Sequence, residues 1–444
     1  MKINYILLWG NMSFNLKNLK KDGLLKDSIF MIFSNIYSKG MGYLFYFLTA
    51  LILGTEGFGT LRGLLPLMDI ITIFFCSGIP PSIAKHLSEN ENSNNEWIIS
   101  ILKIMILFSI LGAPIIILLK YILGGGYSTI DISIYIAVVL AVICSSFISW
   151  NRGVLQGSLK IKELSLTWII ENTSKIIFLI IFALLFGVMG AFLSISFAYL
   201  IGGIFGYYLL LKYIKIDNIN IKNINLFKWD NKHNKKVKQV LYYAIPIALG
   251  TASYRLLNDI DSIAIMSLLG AYDNGIYGYA SLLSRAVFLF ASAISIPLIP
   301  RIAKTKDINY LKKGLLLNFF IVIPVLAVVF IFAGELLKLF FGIVNNDAVN
   351  CLKILSISAG FMSSYTVCSS SLQGLGRAKI PLYILIVGIL LNIILNYTLI
   401  PKIGIIGGAY ATLISSMSIF LIILAYIYYG VFGSSQKKKI LNLK

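Results

Sequence analysis

The segment Phe58–Lys85, FGTLRGLLPLMDIITIFFCSGIPPSIAK, returns in altered form as Tyr277–Lys304, YGYASLLSRAVFLFASAISIPLIPRIAK. The two align without a gap. Phe58-Gly59 falls on Tyr277-Gly278, and Pro81, Ala84 and Lys85 fall on Pro300, Ala303 and Lys304. Upstream, Ile52–Gly54 (ILG) matches Leu268–Gly270 (LLG). Downstream, Leu155–Lys160 (LQGSLK) matches Leu372–Arg377 (LQGLGR), and Gly187 and Gly190 match Gly404 and Gly407. The offset stays close to half of the 444-residue length. Self-similarity at a fixed spacing reads as two copies of one structural unit.

Composition identifies the unit. Hydrophobic residues make up 58% of the chain and charged residues 13%. A soluble protein has no polar shell large enough for that balance, and apolar runs of about 20 residues recur, each long enough to cross a bilayer. The runs predict twelve spans, near 27–54, 58–84, 97–119, 130–151, 164–186, 189–211, 239–269, 272–300, 310–333, 347–375, 380–400 and 404–430. Six spans per copy is an even number, so the copies share an orientation and are related by an axis along the membrane normal, with a cleft between them. The predicted fold is an all-α integral membrane protein of two parallel six-helix repeats around a central cleft. Its parts are an N-terminal arm (1–26), a first bundle (27–211), a linker (212–238), a second bundle (239–430) and a tail (431–444).

The net charge of +20 sits mainly in the connections, which argues against a nucleic-acid partner. With the N-terminus inside, inner segments hold 28 of the 38 Lys and Arg, and outer connections hold only Lys120, Lys338 and Lys402. That asymmetry predicts two cytoplasmic termini in the cell membrane. The basic linker is expected to meet anionic membrane lipids. The opening MKINYILLWGNM has too short an apolar core for a cleavable signal peptide, and Met12 is an alternative start. Cys76, Cys144, Cys351 and Cys368 lie in apolar segments and read as small buried hydrophobes. His86 and His233 are too far apart for a metal site. The chain has no P-loop of the GxxxxGK[ST] type and only scattered outer acids such as Glu56, Asp273 and Asp347. No metal, no cofactor and no enzyme activity are expected.

The charges inside the spans carry the functional expectation. The repeat register places Lys39 on Arg255 in the first helix of each copy. In the second helices, Arg62 and Arg285 share a face and differ in depth by about one turn, roughly 6 Å. Charges at such depth face a partner or a water-filled cavity. Four cations around a cleft predict an anion site, and the planar fork of Arg suits phosphate or pyrophosphate. Asp259, four residues after Arg255, is expected to bridge to it along the helix. Asp69 lies two turns from Arg62 on a similar face, where a pair is equally open. Asp261 points away from Asp259, towards a neighbouring helix or an ion-coupling role. Glu171 and Lys175 read as an i,i+4 structural bridge in span 5.

The duplicated unit, the joints LGTEGFG and LLGAYDNGIYG after spans 1 and 7, the endings GIPPSIAK and PLIPRIAK, and LQGLGRAK together resemble polysaccharide transporters of the multidrug/oligosaccharidyl-lipid/polysaccharide exporter superfamily. The resemblance runs from about residue 25 to 430. It implies a fold like that of the multidrug and toxin exporters and a Wzx-type flippase. Such a protein moves a lipid-linked oligosaccharide on a polyprenyl diphosphate to the outer leaflet by alternating access, alongside glycan-assembly enzymes as partners. It carries the role of cavity cations onto Lys39, Arg62, Arg255 and Arg285. The alternative is a cation-coupled exporter of drugs or metabolites, with Asp69, Asp259 or Asp261 holding the ion.

Overall fold

The computed structural model describes residues 23–76, 78–88, 96–213, 234–305, 307 and 309–432. Met12, most of the N-terminal arm, the centre of the linker with His233, and nearly all of the tail lie outside the described residues. All regular elements described are helical: α1 (Gly23–Cys76), α2 (Ile79–Ser88), α3 (Glu96–Leu123), α4 (Ile132–Gly157), α5 (Ile161–Tyr213), α6 (Asn234–Leu268), α7 (Ala271–Thr305), α8 (Asn309–Phe341), α9 (Asn346–Gly374), α10 (Lys379–Ile403) and α11 (Ile405–Tyr426). Among the described residues, eight helices are long and apolar enough to cross a membrane. A ninth candidate is the bent pair Lys235–Ser253 and Arg255–Leu268, whose halves meet at 51°. The protein is a multi-pass integral membrane protein.

Two of these units exceed one crossing. α1 has 54 residues and α5 has 53, about 80 Å each at 1.5 Å per residue, against a hydrocarbon core of about 30 Å. Each is broken by a glycine. Gly54 has φ 66° and ψ −173°, and Gly187 has φ 57° and ψ −133°. Gly404, the repeat equivalent of Gly187, separates α10 from α11 with φ 64° and ψ −148°. These backbone angles are strained for any residue with a side chain. The likeness extends past the break. A Cβ on Gly190 would sit 1.8 Å from the Phe182 carbonyl oxygen, and one on Gly407 would sit 2.6 Å from that of Leu399. Phe182 and Leu399 are related by the same offset.

The interior divides along the chain. Two buried clusters centre on residues before 212, around Tyr127, Tyr135 and Phe192 and around Trp97, Trp150 and Leu155. Two centre on residues after 238. α6 contributes to both sides: Ile263, Met266, Val240 and Ala244 join the two clusters of the first half, and Ala264, Ile265, Leu257 and Ile260 join the two of the second. In lipid, such contacts rest on packing and interhelical hydrogen bonds. Ser82 Oγ donates to the Val240 carbonyl at 2.7 Å.

A backbone seam joins α1 to α7 near the Gly54 end. A Cβ on Gly59 would lie 1.7 Å from the Ala271 oxygen, and one on Gly275 2.1 Å from the Thr55 oxygen. Asn274 Nδ2 donates to the Gly59 carbonyl at 2.7 Å, and Asn274 Oδ1 accepts from Ser262 Oγ at 2.7 Å. Phe58 stacks on Tyr279 with centroids 4.9 Å apart.

Candidate substrate site

Away from this seam, α1, α6, α7, α9 and α11 enclose a cavity of about 420 Å³. Lys39, Asp69, Arg255, Asp259, Asp261 and Arg285 all line it. Six of the seven charged residues expected to act as cavity cations or ion-holding acids therefore share one space. The seventh, Arg62, is 2% exposed and sits behind the wall.

The pairing differs from the expected one. Arg255 does not bridge to Asp259 along its own helix; its Nη1 donates to Asp69 of α1. Arg255 opens the segment after the 51° bend in α6, and an i,i+4 pair presumes a straight helix. Asp259 instead receives Arg285 Nη2 at 2.6 Å and lies 3.6 Å from Arg62 Nη2. Arg285 also donates to the Asn258 carbonyl at 2.7 Å. Asp69 thus serves Arg255, and Arg62 reaches Asp259 on α6. Arg62 further donates to Ser281 Oγ at 3.5 Å and stacks over Tyr46, its guanidinium carbon 5.6 Å from the ring centroid. Lys39 is exposed into the cavity and makes no ion pair among the described residues.

Asp261 turns to the other side, as its angular offset required. It is 3% exposed and accepts three hydrogen bonds: from Tyr277 Oη at 2.6 Å, from Asn396 Nδ2 at 2.9 Å and from Thr412 Oγ1. Asn396 also donates to Asn392 Oδ1 at 2.8 Å. No cation balances Asp261 among the described residues. Its donors went unnoticed in the sequence, although Asn392 and Asn396 form an i,i+4 polar pair in an otherwise apolar helix, a signal of the right kind.

The expected Glu171–Lys175 bridge is also corrected. Glu171 binds Arg152 of α4, while Lys175 Nζ donates to Asn172 Oδ1 at 3.0 Å and lies over the Phe45 ring. The Arg152 fork reaches across from the facing helix and also donates to Thr167 Oγ1 at 3.1 Å. Arg152 falls just past the predicted span 130–151 and lies within α4, which runs on to Gly157.

The profile of the polysaccharide biosynthesis protein family matches residues 24–306. The chain belongs to this family. A second profile, MatE, matches residues 246–398. The uncharacterized membrane protein MJ1375 of Methanocaldococcus jannaschii is 51% identical over 94% of this chain and 99% of the relative. The probable low-salt glycan biosynthesis flippase Agl15 of Haloferax volcanii is 24% identical over 88% of the chain and 81% of the relative. Among solved structures, an inward-facing multidrug resistance MATE family transporter of the MOP superfamily superposes with a TM-score of 0.71 at 16% identity, over 91% of the chain and 95% of that structure. This family member therefore has the MATE-like helical fold that the resemblance implied.

Proposed function

We infer that the protein is a flippase for a lipid-linked oligosaccharide, moving a polyprenyl-diphosphate glycan across the cytoplasmic membrane by alternating access. The observation that carries this is the charge of the cavity. Three cations, Lys39, Arg255 and Arg285, line it with three carboxylates, Asp69, Asp259 and Asp261; a fourth cation, Arg62, backs Asp259 from behind the wall, and Lys39 makes no ion pair among the described residues. A diphosphate is the kind of ligand that takes Lys39 directly and replaces Asp69 and Asp259 on the guanidinium forks. The glycan follows through the cavity while the polyprenyl tail stays in lipid. The relative named as a glycan biosynthesis flippase supports this direction.

The architecture underlying this reading is twelve spans in two six-helix repeats, 27–211 and 239–430, flanked by the arm (1–26), linker (212–238) and tail (431–444). The breaks at Gly54 and Gly187 and the matched geometry at Gly187/Gly404 and Gly190/Gly407 support it. The Lys and Arg bias supports cytoplasmic termini, and glycan-assembly enzymes on that side are the expected partners. Asp261 is the coupling position in this scheme. Neutralising it with a cation or proton raises the net charge of the lining from zero to about +1, with Arg62 adding a further positive charge from behind the wall, and so favours the anionic substrate.

The test is transport in proteoliposomes carrying a fluorescent polyprenyl-diphosphate oligosaccharide, read by accessibility to an external glycan-cleaving enzyme. Flipping that requires Lys39 and Arg285 supports the reading. Equal rates for wild type and a Lys39→Ala, Arg285→Gln variant sink it. The MatE match and the uncompensated Asp261 favour one second reading, a cation-coupled exporter of drugs or metabolites. Efflux of a cationic dye driven by an imposed ion gradient distinguishes that activity.

A further inference from the structure

A second cavity of about 440 Å³ lies mainly among helices of the first half of the chain, between α1, α2, α4 and α5, with Arg255 of α6 completing its lining. It reaches from Asp69 and Arg255 down to Gln156, at the end of α4 beside the Gly157–Ile161 turn. Asp69 and Arg255 line this cavity and the central one alike. Their ion pair is therefore the wall between the two spaces.

The chemistry of the two spaces differs. The charged groups around the second cavity cancel: Arg152 is paired with Glu171, and Arg255 with Asp69. The remaining polar lining is neutral, including Thr72, Ser149 and Gln156. Trp168 is half-buried at the wall, with the Arg152 guanidinium carbon 5.8 Å from its ring centroid, and its Nε1 makes no hydrogen bond among the described residues. Arg152 and Glu171 fix one another and retain further capacity, since Glu171 engages Arg152 through Oε2 alone. A balanced, polar space with an aromatic face, planar amide and carboxylate groups and a ligand-sized volume suits a neutral ligand rich in hydroxyls. The apolar C–H face of a pyranose packs on an indole, and its hydroxyls bond in pairs to planar side chains. We propose that this cavity is a saccharide subsite, holding the first sugars of the glycan while the diphosphate occupies the central cavity at Lys39, Arg255 and Arg285. The proposal rests on the flippase reading above and adds to it where the sugar sits and which residues recognise it. Opening the Asp69–Arg255 wall joins the two subsites for one continuous head group.

The test is equilibrium binding to the full-length protein in lipid nanodiscs with two ligands. One is bare polyprenyl diphosphate; the other is the polyprenyl-diphosphate glycan pool extracted from cells that make this protein. The expected result is a tenfold or greater tighter affinity for the glycan-bearing lipid. Trp168→Ala and, separately, Gln156→Ala at the exposed end of α4 should reduce this preference to near unity and leave bare-lipid affinity unchanged. Trp168→Phe, which keeps an aromatic face, should retain most of it. Equal affinity for both lipids in the unsubstituted protein, or an equal loss for both in Trp168→Ala and Gln156→Ala, overturns the subsite while leaving the flippase reading in place. Failure of either lipid to bind overturns both.

Discussion

At the scale of single residues, burial decides which ion pair matters for stability. Arg62 is 2% exposed and Asp259 is its nearby carboxylate, whereas Arg255 is 49% exposed where it meets Asp69. Removing the charge of Asp259 strands a buried guanidinium, at a cost of about 3–5 kcal/mol. Removing that of Asp69 leaves Arg255 open to water, at a cost of about 1 kcal/mol or less. Thermal unfolding in detergent should therefore rank Asp259→Asn far below Asp69→Asn, and similar melting temperatures would contradict the assigned burial. Asp261 makes a different prediction. Asp261→Asn keeps its shape and part of its hydrogen bonding but removes the charge, so binding of a polyprenyl diphosphate should strengthen severalfold and lose its dependence on pH and on added sodium. Titrations at several pH values check this. The cavity residues themselves were legible from the sequence, because a charge in an apolar run announces itself. Their partners were not. Pairing within one helix is the only geometry a linear reading supplies, and here Arg255 leaves its helix at a bend while Glu171 finds Arg152 on a neighbour.

At the scale of elements, the glycines of the repeat were legible as matched positions, and their backbone angles give the reason. Gly187 and Gly404 hold equivalent breaks at φ 57° and 64°. Alanine at Gly187 should cost about 1–3 kcal/mol, seen as a lower unfolding temperature with the helical circular dichroism retained. The α1–α7 seam makes a sharper case. Alanine at Gly59 puts a methyl group into the Ala271 carbonyl, so α1 and α7 must part there. The expected outcome is a slower transporter whose Ser281→Cys thiol reacts faster with a membrane-impermeant reagent added from the Gly54 side. Unchanged labelling would mean that the seam does not close that end. The sequence placed Phe58-Gly59 and Tyr277-Gly278 at equivalent positions. It had no means of indicating that Gly59 faces Ala271, because that contact joins residues more than two hundred positions apart.

At the scale of the whole molecule, the two-copy organisation was read from a few short matches, and the all-helical membrane fold from composition alone. The role of α6 was hidden, since its apolar residues serve clusters on both sides. Because of that sharing, chains covering 1–211 and 239–444, produced together in one cell, should purify as a stable pair through a tag on either; recovery of the tagged half alone would refute the shared core. The Asp69–Arg255 and Asp259–Arg285 pairs bear on the transport cycle as well. Under the proposed function, these carboxylates occupy in the vacant protein the guanidinium groups that a diphosphate needs, so they act as tethered competitors. A tethered competitor weakens capture, and it also speeds discharge: each carboxylate stands ready to reclaim its arginine as the cargo departs. In that proposed cycle the empty cavity reorients with those arginines already neutralised, which suits turnover rather than tight retention.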